Sequence, residues 1–123
     1  MDATMTEALT AHITQVHNRG TVWSFEAQDK SGQTIIFHAD WRMGMGLCES
    51  LLNQAYNEAR DAGFVVPSSL PRIAIVSCLD VELIPSNDMG MDMPTVYPLE
   101  LNVNRLQKVL AEHKEADDAD LSS

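Results

Sequence analysis

His38 and Asp40 stand two residues apart in the run TIIFHAD, and Asp80 and Glu82 repeat that spacing in CLDVEL. Residues two apart in a strand point to one face. A histidine beside a carboxylate could act as a general base and its orienter, or as two metal ligands. A sheet that brought both pairs together would gather four groups suited to metal-assisted hydrolysis. Against this, His-x-Asp arises often by chance, and an Asp closing an apolar run is an ordinary strand-end turn residue. No glycine-rich phosphate loop, Gly-x-Ser-x-Gly elbow or His-Glu-x-x-His pattern accompanies the pairs. No catalytic residue, metal or cofactor is therefore assigned.

The methionines are more distinctive. Seven occur, and five of them lie in two short runs read as a turn and a loop: Met43 and Met45 in RMGMG, and Met89, Met91 and Met93 in DMGMDMP. Methionine is flexible and polarizable and suits adaptable contact surfaces. Asp88 and Asp92 interleave with the second run, and a loop offering thioethers and carboxylates suits a basic, partly apolar protein. A third set combines Trp23, Phe25 and Trp41 with Arg19 and Arg42. On a sheet face such residues could stack bases and meet phosphates. The chain holds only eight Lys and Arg, dispersed along its length, so core packing of these aromatics is the stronger reading.

Composition narrows the partner class. The net charge is −10 and hydrophobic residues make up 45%. That is enough apolar material for a core, and the charge opposes a nonspecific grip on nucleic acid or an anionic membrane. Five carboxylates and one lysine fall in residues 112–123, so the remainder still carries −6 and is acidic in its own right. The N-terminal stretch MDATMTEALTAHITQ lacks the basic start and apolar core of a signal peptide. No apolar run approaches the ~18–20 residues that span a bilayer. Cys48 and Cys78 form no Cys-x-x-Cys and are expected as reduced thiols. A cytoplasmic protein is expected.

The elements that must position these groups follow from periodicity. Leu9 to Gln15 alternates, Thr21 to Phe25 is β-branched and aromatic, and Thr34 to His38 is a third apolar run. Turns are predicted at residues 18–20 and 29–32, making runs two and three a hairpin. Leu47, Leu51, Ala55, Ala59 and Ala62 repeat at helical spacing, and Gly63 is placed to cap the helix C-terminus. Ile73 to Leu83 alternates over its length and predicts a fourth strand. Residues 85–94, bracketed by prolines, predict a loop, and Val96 to Leu101 an edge strand containing Pro98. Asn102 is a plausible N-cap for a second helix from Val103 to His113.

These readings predict an α+β fold in the order β-β-β-α-β-β-α: a mostly antiparallel sheet of about five strands with two helices. This is also the element order of an OB-fold. One domain over residues 1–114 and an acidic, flexible tail at 115–123 are expected. The favoured function is a non-enzymatic acidic module that binds a basic protein through Asp88, Met89, Met91, Asp92 and Met93, helped by Met43 and Met45. Inhibition of a nucleic-acid-binding protein by charge mimicry is one version of it. An OB-like single-stranded nucleic-acid binder using Arg19, Trp23, Phe25, Trp41 and Arg42 comes second. A small metal-dependent hydrolase at His38, Asp40, Asp80 and Glu82 comes third. Homodimer formation through an edge strand or the second helix is compatible with each, and no membrane contact is expected.

Overall fold

Alternation along Leu9–Arg19 makes the first strand, β1, whose Ala11 and Ile13 point inward and are buried. A computed structural model of the chain describes the backbone of residues 8–86 and 90–122 and the side chains of residues 8–85 and 93–114. Gly20, at φ +67°, turns the chain into β2 (Val22–Asp29), and Gly32, at φ +90°, turns it again into β3 (Thr34–Asp40). Positive φ at these two turns favours glycine because it lacks a Cβ. The Asp29 carboxylate braces the second turn, accepting from the backbone N–H groups of Ser31 and Gln33, each at 2.9 Å.

The predicted α+β fold with an antiparallel five-stranded sheet is the one observed. The sheet order is β3-β2-β1-β4-β5, with β4 at Leu79–Ser86 and β5 at Gly90–Leu101. β1 sits at the centre and pairs with β2 on one side and β4 on the other, with an irregularity between Ile13 and Gln15. The sheet curls, so its two end strands, β3 and β5, come alongside each other. Helix α1 (Trp41–Asp61) buries Leu51, Ala55 and Ala59 against the sheet, as its spacing predicts. Its end is built as expected: Gly63 takes φ +89°, and the N–H groups of Gly63 and Phe64 donate to the carbonyls of Arg60 and Ala59. Glu58 accepts from the Leu101 amide at 3.0 Å, which ties this helix to β5. Among the described residues every buried side chain is apolar.

Four sequence-based expectations are corrected. The RMGMG segment is not a loop, because α1 starts at Trp41 rather than Leu47 and those residues form its first turns. Residues 73–83 are not one strand: a short helix, α2 (Arg72–Val76), precedes β4, so there are three helices rather than two. The expected 85–94 loop is largely strand, with β4 running to Ser86 and β5 starting at Gly90. The last helix, α3 (Val103–Ser122), continues through the acidic segment instead of stopping near His113. Asn102 caps α3 as expected, accepting from the Arg105 amide at 3.0 Å.

The glycines of α1 are not equivalent. A Cβ at Gly44 would lie 2.5 Å from Trp23 Cγ and 2.6 Å from its Cβ, whereas one at Gly46 would meet nothing within 4 Å. Alanine at Gly46 is expected to raise stability by up to about 1 kcal/mol through helix propensity. Alanine at Gly44 is expected to lower it, because an overpacking cost of about 1–3 kcal/mol outweighs that gain. Urea unfolding of the two variants gives midpoints that move in opposite directions if the helix backbone rests on Trp23.

Candidate partner-binding cleft

Asp40 is the last residue of β3 and the N-cap of α1. Its Oδ1 accepts from the Met43 N–H at 2.8 Å, so strand and helix join with no linker. The sequence reading of Asp40 as a strand-end residue therefore agrees with its place in the fold. The cap fixes the rotation of α1, which carries Met43 and Leu47, four residues apart, to one side of the sheet. There they meet Phe37 and Ala39 of β3 and Met93 and Val96 of β5, lining a cleft of about 290 Å³. Met43 is 60% exposed and Met93 37%.

The two methionine runs thus converge, but only in part. Met45 is exposed and lines a different cavity, beside Trp23 and Cys48. Met91 and Asp92 belong to the backbone of β5, and their side chains lie outside the described residues, as do Asp88 and Met89 altogether.

The aromatic set divides differently. Phe25 is 0% exposed and stacked, with its ring 5.1 Å from that of Phe37 and 6.4 Å from that of Trp23. It is a core residue and cannot stack a base, which corrects its place in the nucleic-acid set. Trp23 is half-buried. Trp41 is 43% exposed, and the Arg42 guanidinium lies 5.3 Å from its ring centroid, a cation–π contact. Arg19 faces Val22, which faces Asp40, so Arg19, Trp41 and Arg42 gather at one end of the sheet.

The four hydrolase candidates do not meet. His38 Nδ1 lies 3.1 Å from the Ser24 hydroxyl on the outer face of the β2–β3 hairpin. Asp40 is occupied as the cap. Asp80 is on β4, separated from β3 by β2 and β1, and accepts from Arg105 Nη1 at 3.1 Å; Glu82 faces Thr10. Among the described residues no group of three or more His, Cys, Asp and Glu side chains is placed to hold a metal ion.

Sequence reasoning missed one polar site. His12 of β1 stands opposite both Asp80 of β4 and Gln28 of β2, beside Lys30, Asn102 and Arg105, in a groove of about 410 Å³. Arg105 is held there by Asp80 and by the Ser77 carbonyl, 3.0 Å away. The strand alternation puts His12 on the face opposite Ala11 and Ile13, which was a usable signal. Nothing in the sequence spacing links it to Arg105, which arrives from α3. Burial and the Arg105 charge lower the His12 pKa, with Asp80 opposing.

No protein-family model, no curated protein and no solved structure matches the chain. Among the described residues no helix is long and apolar enough to cross a membrane.

The lowered His12 pKa sets a direction for stability. Between the folded value and the ordinary 6.5, the unfolded chain binds more proton than the folded one. The contribution is full above about pH 6.5 and is lost as the pH falls through the lowered folded value. The expected outcome is that His12→Gln flattens the fall of unfolding free energy below pH 6.5, measured by urea titration at successive pH values. A wild-type and variant difference that stays constant with pH would remove His12 from that dependence.

Proposed function

We propose that the chain is a non-enzymatic, acidic protein-binding module that receives a segment of a basic partner at the β3–β5 cleft. The observation that carries this reading is the meeting of Met43 and Met93, each from a separate methionine run, in one cleft lined also by Phe37, Leu47 and Val96. Two mobile thioethers over an apolar floor can adapt to a partner's side chains. The net charge of −10 would steer a basic partner in and hold nucleic acid off. Occupation of the positive surface of a nucleic-acid-binding protein is the concrete version favoured, with an on-rate that falls as salt rises.

The test is capture from native lysate with wild type and with the double variant Met43→Ser, Met93→Ser, each with and without nuclease, followed by elution in salt steps. A partner that survives nuclease, leaves with salt and is held at least several-fold less by the double variant supports the cleft. Equal retention by both proteins would remove the cleft from the reading.

A second reading has its own support. Three antiparallel strands, then α1 and the short α2, then two strands, in the sheet order β3-β2-β1-β4-β5 with β3 beside β5, favour an OB-like reading. With Arg19, Trp41 and Arg42 at one end, this supports a single-stranded nucleic-acid binder; the charge and the burial of Phe25 weigh against it. If this reading is correct, a single-stranded oligonucleotide quenches tryptophan emission, and Trp41→Ala with Arg42→Ala abolishes the quenching. Absence of quenching at low salt would dismiss it.

A further inference from the structure

The cavity that takes Met45 lies between α1, α2 and the inner faces of β1 and β2, and it shares no lining residue with the β3–β5 cleft. Its volume is about 340 Å³, at the small end of the range for ligand pockets. Four of its walls, Ile13, Phe25, Leu51 and Val76, are buried core residues and so are held in place by packing. A fifth, Trp23, is pinned from behind by the backbone of α1 at Gly44, too close to admit even a methyl group. The apolar lining is therefore set before any ligand arrives.

The polar groups on the lining are few, and they define the occupant. Cys48 brings a thiol whose pKa burial pushes up to about 11, so it is uncharged at neutral pH. Glu49 and Arg72 also line the cavity; both are exposed, and their opposite charges offset each other. Among the described residues no fully buried polar group lines the cavity to receive an ion. A charged group moved onto the apolar part of this lining would lose hydration with no buried partner to replace it. A flat apolar molecule instead gains area burial and an aromatic face to lie against.

We propose that this cavity is a binding site for a small uncharged aromatic molecule of one or two rings, held against Trp23 between α1 and α2. The proposal does not depend on the partner-binding reading, since the two sites have separate walls.

The probes are toluene and indole, with benzoate and benzylamine as their charged counterparts. Two readouts apply to the full chain: the thermal midpoint, and the rate of Cys48 alkylation by N-ethylmaleimide, resolved from Cys78 by peptide mass spectrometry. The expected result is that the neutral probes raise the midpoint and slow Cys48 alkylation several-fold, while the charged pair do neither. Met45→Trp, made at an exposed position so that the core is not burdened, is expected to abolish the protection. Failure of the neutral probes to protect Cys48 would overturn the proposal. So would equal effects of the charged pair, or protection unchanged in Met45→Trp.

Discussion

One hydrogen bond organises the part of this molecule that holds both methionine-lined recesses: the Met43 amide donating to the Asp40 carboxylate at the junction of β3 and α1. A linker of even a few residues there would let the helix take many rotations. With none, the direction of the last strand residue dictates where each face of the first helical turns must point. Met43 is committed to the seam between the end strands, Gly44 to the back of Trp23, and Met45 to the opposite side. Two recesses of different character follow from a single capped turn.

The strand ladder gives that junction something firm to stand on. Phe25 and Phe37 are directly paired across β2 and β3 and stacked at an interplanar angle of 8°, and Trp23 continues the stack. The inner face of the hairpin is thus one aromatic column whose top rests on the helix. Aromatic stacking adds about 0.5–1.5 kcal/mol per pair beyond area burial, but its larger effect here is geometric. It fixes the ring that forms a cavity wall, and it explains why only part of the aromatic set is at the surface. On the other side of the sheet centre, Arg105 plays the matching role for α3, joined to Asp80 and the Ser77 carbonyl.

Much of the fold was legible because its periodicities are clean. β1 alternates, β2 and β3 are β-branched and aromatic runs closed by glycine turns, and Leu51, Ala55 and Ala59 repeat at helical spacing. The failures each have a physical cause. After Arg72, residues 73–76 of α2 are uniformly apolar, and so short a run does not let a period of two be told from one of 3.6. Its helical bonds, Ser77 N–H to the Ile73 carbonyl and Cys78 N–H to the Ile75 carbonyl, are set by tertiary position. Gly44 and Gly46 are poor helix formers, so the start of α1 was read as a turn, whereas capping and packing decide it. Pro85 and Pro94 suggested a loop, yet Pro85 falls where the β4–β5 register shifts, and Pro94 lies on an edge strand. The residue types of the candidate cleft were visible, but their meeting was not. Met43 and Met93 are neighbours only because the sheet curls.

The central position of β1 has a consequence for how the chain comes to exist at all. Its partner β2 follows at once, and the β2–β3 hairpin can close locally within microseconds. The other partner, β4, pairs Leu83 with Leu9 and is made only after α1 and α2 have been synthesised. As the protein leaves the ribosome, the N-terminal half of β1 therefore waits with one row of backbone groups unpaired, the geometry that invites a foreign strand. A chaperone scanning the nascent chain would find its target at Leu9–His12, where the finished protein pairs Leu9 and Thr10 with β4 and closes Ala11 and His12 between two ladders.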